Sequence, residues 1–189
     1  PQHVFTEVDY EGFYFEFSLE LIAANLRDYV KNYAARDVQS WIAPMETIYH
    51  ALRNASQLLK YDQYLIQASH YQQEIVGYCQ KDPLIIPVSQ EAHAITLLRH
   101  QNCFAICDRA AIDDGEGLTI YYMNRPARFT PERIFDWIYA KHSLQEFYQQ
   151  LKDLLALEPI AQLPITPQLI GNCSWANSEA TLPTLYFMM

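Results

Sequence analysis

The sequence predicts an α+β fold, in which a mainly helical part is followed by a mostly antiparallel sheet and further helices. Apolar residues recur at helical spacing in the first part, and short runs of β-branched and aromatic residues follow it. Half of the 189 residues are hydrophobic, which is enough to bury one sizeable core. We therefore expect a single domain, with a helical part over residues 1–82 and a sheet-containing part over residues 83–189.

The helical part is predicted to extend from Ser18 to about Cys79. Its apolar residues repeat at the spacing of the buried stripe of an amphipathic helix. Asp82-Pro83 ends this part, because proline disfavours the helical conformation of the residue before it. The residues that form the pattern are Leu19, Leu21, Ile22, Leu26, Tyr29, Val30, Ile48, Leu52, Leu58 and Leu59.

Short segments after Pro83 indicate strands. Leu84–Val88 is an apolar run bounded by prolines, which suits a strand start or an edge strand because proline donates no hydrogen bond to a ladder. The next three segments, His93–Arg99, Cys103–Cys107 and Leu118–Met123, are rich in β-branched and aromatic residues and are separated by polar turns. We expect these three to be antiparallel strands.

Helical patterns return after the strands. Thr130 followed by Pro131 predicts a helix start, and one or two helices are expected to run to about Leu157. The segment Pro159–Pro167 contains three prolines between alternating Ile and Leu residues. We expect it to be extended along an edge of the sheet.

Charge and composition narrow the classes of function. A formal net charge of −9 and a pI near 5.0 argue against a broad nucleic-acid-binding face, which needs clustered Lys and Arg. The four cysteines show no CxxC spacing, which favours a reduced, intracellular setting. No apolar run is long enough to span a membrane, and the N-terminus lacks the order of a secretory signal. Because the chain begins with Pro1, we expect it to be excised from a longer protein.

A hairpin brings together two candidate catalytic residues. If its turn is centred on His100 and Gln101, Arg99 faces Asn102 and His93 lies directly opposite Asp108. A carboxylate at that distance accepts a hydrogen bond from the imidazole and sets its tautomer. A His–Asp pair on neighbouring strands is more often structural than catalytic when it stands alone, and a slip of one residue would leave Asn102 as a poorer partner.

Cys173 completes a candidate triad. It follows Gly171-Asn172 at the predicted start of the last helix, where unpaired backbone N–H groups favour a thiolate. Such a thiolate attacks a carbonyl carbon, and His93 protonates the leaving amine. Pro183 is expected to disturb the middle of this helix. We interpret the other three cysteines, Cys79, Cys103 and Cys107, as small apolar residues.

An oxyanion site is also required. Gln168 precedes the thiol by five residues and offers a side-chain N–H₂, with the Cys173 backbone N–H as a second donor. The alternative for Gln168 is an ordinary surface glutamine. Asn172 either aids this site or suits the turn, and Trp175 fits a core anchor better than a shield for the thiol.

The order of His, Asp, Gln and a helix-opening Cys resembles the ubiquitin-like-protein (SUMO) proteases of clan CE. The stretch Gln168–Ala180 is similar to a segment of the AnkH/LupA-like cysteine-protease-like domains of Legionella-type translocated effectors. The resemblance covers roughly Leu84 to the C-terminus. It implies a mostly antiparallel sheet with helices on both sides, His93 as base, Asp108 as its partner, Gln168 as oxyanion donor and Cys173 as nucleophile.

The resemblance also implies a function. It indicates a cysteine peptidase or isopeptidase that a bacterium delivers by type IV secretion into the cytosol or nucleus of a host cell. The expected partners are ubiquitin, a ubiquitin-like modifier or another host protein, with no nucleic acid. Two positions depart from the SUMO proteases, which carry Trp after the His and Gly after the Cys where this chain has Ala94 and Ser174. The Gln spacing is also one residue shorter than in the eukaryotic enzymes, so the thiol chemistry is implied more strongly than a Gly-Gly substrate.

Two other functions remain open from the sequence. One is acyl transfer of the YopJ type, although that group carries Glu as the acid and needs a basic site. The other is a catalytically silent binding module on a protease-like scaffold, which the missing channel Trp suggests.

We expect neither metal nor cofactor. Cys103 and Cys107 lack further ligands nearby, and Asp113–Gly117 is better explained as a turn than as a calcium loop. The Tyr-rich segment Tyr61–Tyr78 forms either a partner surface or core.

Overall fold

The computed structural model of the protein describes residues 10–33, 39–63, 68–111, 117–168 and 172–189. Within these ranges it has six α-helices and five strands. In chain order these are α1 (Tyr10–Tyr33), α2 (Gln39–Gln63), α3 (Gln72–Cys79), β1 (Leu84–Gln90), β2 (His93–His100), β3 (Cys103–Cys107), β4 (Leu118–Met123), α4 (Pro131–Tyr139), α5 (Leu144–Leu155), β5 (Leu157–Leu163) and α6 (Cys173–Met188). Two short 3₁₀ helices, Ala68–Tyr71 and Pro126–Arg128, connect them. The predicted α+β class is confirmed.

The strands form one sheet in the order β1-β2-β3-β4-β5, and every neighbouring pair is antiparallel. The Leu84–Val88 run lies in β1, an edge strand as predicted. The proline-rich segment begins within β5, which is the opposite edge strand. Ile160 is an extra residue there, because Ile120 pairs with Ala161 and Tyr121 pairs with Pro159. An edge strand with such an irregularity is where prolines are tolerated in a sheet.

Helices cover both faces of the sheet. Residues that alternate along β1 and β2 belong to two separate core clusters, as expected for strands buried on both sides. One cluster joins Ile85, Ala94 and Leu98 to α1, α2 and α6. The other joins Ile86, Ile95 and neighbouring residues to α3, α4, α5 and part of α2. The helical first half therefore packs on the same sheet that carries the candidate site.

Two helix boundaries differ from the sequence prediction. Helix α1 already begins at Tyr10 rather than near Ser18, and α6 continues through Pro183 to Met188. A proline inside a helix removes one backbone donor and crowds the preceding turn. Burial of α6 against β2 and α1 outweighs this cost, since most residues of its first three turns are buried. None of the described helices is long and apolar enough to cross a membrane.

Hydrogen bonds join the β1–β2 hairpin to the connection between helices α4 and α5. Glu91 and Ala92 both have positive φ angles, of 50° and 60°, as a two-residue type I′ turn requires. The buried Gln90 side chain donates to Trp137 O (3.2 Å) and Ala140 O (2.9 Å) and accepts from His142 N (2.7 Å). These bonds hold the turn before His93 against the connection between α4 and α5.

We expect Gln90→Ala to lower the free energy of unfolding by about 2 kcal/mol, because it leaves two carbonyls and one N–H of this connection without their amide partner. Urea denaturation followed by circular dichroism measures the change. The matched control is Gln145→Ala on the exposed side of α5, expected to change stability by less than about 0.5 kcal/mol. Equal effects of the two variants would contradict the role given to Gln90.

Candidate active site

His93 and Asp108 form a hydrogen-bonded pair at one end of the sheet. The distance between His93 Nε2 and Asp108 Oδ1 is 2.8 Å. His93 is the first residue of β2, and Asp108 directly follows β3. The Asp108 side chain is only 5% exposed, whereas that of His93 is 19% exposed. The imidazole can therefore reach a substrate while the carboxylate behind it is shielded from water.

The predicted register of this hairpin is wrong, although the pair forms. Arg99 lies opposite Phe104 rather than Asn102, so each β2 residue pairs two positions further along β3 than predicted. The turn is at Gln101-Asn102, where Gln101 has a φ of 52° and its N–H donates to the Asp82 carboxylate. A shift of two residues keeps every side chain on its face of the sheet.

Asp108 reaches His93 because the backbone turns directly after β3. The strand ends at Cys107, and the backbone then turns, with Asp108 N bonded to Ile106 O and Ala111 N to Asp108 O. Asn102, the weaker alternative partner, lies in the exposed turn and donates to the Tyr122 hydroxyl. The carboxylate that pairs with His93 is therefore that of Asp108.

Three donors surround the Asp108 carboxylate. Oδ1 accepts from His93 and from Ala110 N (3.1 Å), and Oδ2 accepts from the hydroxyl of Tyr148 on α5. Burial alone would raise the pKa of Asp108, but the hydrogen bonds from His93 and Tyr148 hold it below its usual range. Burial, together with the adjacent carboxylate, raises the pKa of Tyr148. The carboxylate is therefore ionised and the phenol is protonated at neutral pH.

Cys173 is the first residue of α6, as the sequence predicts, and its sulfur faces the His–Asp pair. The sulfur accepts a hydrogen bond from Ala94 N at 3.3 Å, which places it beside His93, and the sulfur is among the groups that raise the pKa of His93. Because Nε2 of His93 is bonded to Asp108, Nδ1 is the ring nitrogen left for the sulfur. The structure thus brings Asp108, His93 and Cys173 into one row.

The row favours a charged imidazole. Hydrogen bonds to Asp108 and to Cys173 raise the pKa of His93 to about 10, although burial acts in the opposite direction. Chemically, the three side chains can act as an orienting carboxylate, a proton carrier and a nucleophile.

Gln168 lies in the same region through its backbone. Its N–H donates to Arg109 O at 2.9 Å, next to Asp108, and its side-chain oxygen is shielded from solvent. The Arg109 guanidinium donates to Thr166 O and Thr166 Oγ1, which holds the segment before Gln168, and it also forms an ion pair with Glu179 on α6 (3.1 Å). Residues 169–171, including the predicted turn glycine, lie outside the described residues. The oxyanion role of Gln168 stays a prediction.

Sequence reasoning missed two contributors to the site. Tyr148 supplies a donor to Asp108 from a helix forty residues away in sequence, and Ala94 supplies its backbone N–H to the sulfur. The signal for Tyr148 was its place beside Phe147 on the buried face of an amphipathic helix. A backbone donor leaves no signal in the sequence, because any residue type carries it.

The other residues that the sequence singles out do not contact the His93–Asp108 pair through any hydrogen bond in the described part of the chain. Trp175 packs against the core between α6, α1 and α2. Burial raises the pKa of Cys79 and of Cys107 to about 12, which suits inert thiols. The side chain of Asn172 makes no capping hydrogen bond to α6. Most of the acidic segment that is predicted to form a turn, residues 113–116, lies outside the described residues.

The fold has a counterpart among solved structures. The chain aligns with the structure of the Legionella effector AnkH with a TM-score of 0.82 and 30% sequence identity. This chain folds like AnkH. The alignment covers 92% of this chain and 38% of the AnkH chain, so it spans well under half of that effector. No protein-family model and no curated protein matches the sequence.

The structural alignment with AnkH covers more of the chain than the sequence resemblance does. An alignment over 92% of the chain must include most of the helical first half, which the resemblance had left unassigned. The predicted similarity to a Legionella-type effector is therefore confirmed for the fold. The relationship to clan CE stays a prediction.

We expect Tyr148→Phe to slow turnover by about tenfold, because a hydrogen bond to a charged group contributes about 1.5 to 3 kcal/mol and is lost. The pKa of Asp108 should rise, so activity should be lost at a higher pH when the solution is acidified. A pH–rate profile measures both effects. Tyr122→Phe, which alters a hydroxyl at the exposed turn, is the control and should leave the profile unchanged. An unchanged profile for Tyr148→Phe would contradict its role.

Proposed function

We propose that this protein is a thiol-dependent hydrolase, a cysteine peptidase or isopeptidase, with Cys173 as the nucleophile. The observation that carries the proposal is the placement of Cys173 beside the hydrogen-bonded His93–Asp108 pair: its sulfur accepts from the N–H of Ala94, the residue after His93, at 3.3 Å, and it belongs to the first residue of a helix. The three side chains supply the roles that nucleophilic catalysis requires, and His93 is the member of the row that is partly exposed.

In the first step, the Cys173 thiolate attacks the carbonyl carbon of an amide or isopeptide bond. The tetrahedral intermediate carries its negative charge on the former carbonyl oxygen. The Cys173 backbone N–H, at the positive end of α6, and the Gln168 amide are the proposed donors to that oxygen. The His93 imidazolium then protonates the leaving amine, the C–N bond breaks, and a thioester remains on Cys173.

In the second step, neutral His93 accepts a proton from water, and the resulting hydroxide attacks the thioester carbonyl. Collapse of the second intermediate releases the carboxylic acid and restores the thiolate, which pairs again with the imidazolium. Asp108 keeps its charge throughout and holds the ring in the required orientation. The hydrogen bond from Ala94 N steadies the sulfur whenever it is negatively charged.

The proposed substrates are ubiquitin, a ubiquitin-like modifier or another host protein. Similarity to a Legionella effector supports a role in a host cell, in its cytosol or nucleus, after delivery by type IV secretion. The low exposure of Cys173, at 7%, favours a slender, extended acyl segment over a bulky one. Because Ala94 stands where the SUMO proteases carry a channel Trp, we do not restrict the substrate to a Gly-Gly tail.

A panel of ubiquitin and modifier probes with electrophilic C-termini tests this function. We expect at least one probe to form a stable adduct on Cys173, seen as a mass increase of the intact protein. Cys173→Ala should form none, and Cys103→Ala, which removes another cysteine that is not fully buried, should react like the wild type. No adduct with any probe, or an adduct that survives Cys173→Ala, would remove the proposed activity.

A further inference from the structure

Helix α6 takes the place of a strand beside the start of β2. Strand β3 ends at Cys107, which pairs with Thr96, so Ala94 has no partner on that side. In a hairpin with a two-residue turn the flanking residues, Gln90 and His93, form the hydrogen-bonded pair. The backbone groups of Ala94 therefore point away from β1, towards the space that β3 has left.

Two side chains of α6 occupy that space. Ala94 N donates to Cys173 Sγ at 3.3 Å, and Ala94 O accepts from Asn177 Nδ2 at 2.6 Å. Cys173 and Asn177 are four residues apart and so lie on one face of the helix. Both polar groups of the residue after His93 are thus bound by the helix that carries the thiol.

Asn177 makes a second contact with the site. Its Oδ1 accepts from Arg109 N at 2.8 Å, and its side chain is fully buried. The amide therefore joins the residue that follows His93 to the residue that follows Asp108, from one turn beyond Cys173. Only a short amide satisfies both partners, because a carbonyl needs a donor and a backbone N–H needs an acceptor.

We propose that Asn177 is a positioning residue that sets the distance between the Cys173 sulfur and the His93 ring. This inference rests on the proposed function, in which a thiolate–imidazolium pair must form. Asn177 touches neither the substrate nor the reacting atoms. It holds the ends of β2 and β3 to α6, so that the three members of the row keep contact. Displacement of a reacting group by about 1 Å is enough to lower a rate about 100-fold.

The test is alkylation of Cys173 by iodoacetamide from about pH 5 to about pH 9, followed by peptide mass spectrometry. Wild-type Cys173 should react at the acidic end, where an isolated thiol is protonated. Asn177→Ala should react about 100-fold more slowly there and approach the wild type at the alkaline end. Asn177→Asp keeps the acceptor for Arg109 N and regains a donor towards Ala94 O only when protonated. Its rate should therefore recover towards the wild-type rate as the pH falls.

Thr184→Val is the matched control. Thr184 is fully buried in the same helix, and its hydroxyl donates to Ala180 O without touching Ala94 or Arg109. We expect the wild-type profile for this variant. A wild-type profile for Asn177→Ala as well would overturn the positioning role and leave the proposed function standing. An isolated-thiol profile for the wild-type protein would overturn the proposed function itself. If Asn177→Ala does not fold, the nearly isosteric Asn177→Asp decides by the presence or absence of its recovery in acid.

Discussion

Replacement of Cys173 by alanine is expected to lower hydrolysis by about 10⁶-fold, because it removes the only group proposed to form a covalent bond with the substrate. The fold should persist, since the side chain is small and buried at the start of α6. Cys173→Ser keeps a hydrogen-bond acceptor for Ala94 N while replacing the thiol with a far weaker nucleophile. We therefore expect it to be as inactive as Cys173→Ala but closer to the wild type in stability. Initial rates on a cleaved probe substrate, with thermal denaturation, measure the two effects.

Activity that survives in both variants would contradict this expectation. Cys103→Ala provides the control, because Cys103 lies in β3 within the same sheet and is only partly buried. Its rate should stay within about twofold of the wild type, since surface and strand substitutions away from a site have small effects. In cells, a Cys173→Ala variant that kept the full biological effect would favour the binding module over the enzyme.

Asp108→Asn is the second substitution with a large expected effect, a fall in kcat of about 10³- to 10⁴-fold with little change in KM. The neutral amide no longer stabilises the imidazolium, and it can offer an N–H where the imidazole also presents one, which selects the wrong tautomer. The pKa of His93 should fall from its raised value, because the hydrogen bond to Asp108 is the largest contribution to it. NMR titration of the His93 ring and steady-state kinetics test the two expectations.

The control for Asp108→Asn is a second His–Asp pair in the same chain. Asp136 on α4 lies 3.4 Å from His142 Nε2 and is about half exposed. We expect Asp136→Asn to change kcat by less than about twofold, because an exposed pair contributes little to stability and is not in the row with Cys173. Equal losses of activity in Asp136→Asn and Asp108→Asn would show a general loss of folding rather than a catalytic effect.

The positions of His93, Asp108 and Cys173 could be anticipated from the chain because each depends on local pattern. The strand runs, the polar turns and the glycine before the last helix are short-range signals. The prediction that His93 contacts Asp108 also tolerates an error in the register of the two strands. The register was wrong by two positions, yet an even shift leaves both residues on the same face of the sheet. The oxyanion role of Gln168 had a weaker basis, because it depends on a loop conformation that sequence pattern does not specify.

The other features depend on packing between distant segments. Tyr148 contacts Asp108 only because α5 lies against the sheet beneath the His93 hairpin, where Gln90 anchors it. From its sequence alone Pro183 is expected to interrupt a helix, but burial of α6 stabilises the helix on both sides of it. The bond from Ala94 to the sulfur arises because the C-terminal end of β3 stops short of the first residues of β2, so Ala94 has no strand beside it there. No local preference of Ala94 reveals this.

Trapping of an acyl-enzyme tests most directly whether Cys173 is a nucleophile. The protein is mixed with fluorogenic substrates of ubiquitin and ubiquitin-like modifiers, quenched in acid at early times, and digested for mass spectrometry. We predict a thioester on Cys173 that hydroxylamine removes and that accumulates more strongly in an Asp108→Asn background if hydrolysis of the thioester is slowed more than its formation. Turnover without an acyl group on Cys173, or an acyl group on a different residue, would contradict the proposed chemistry.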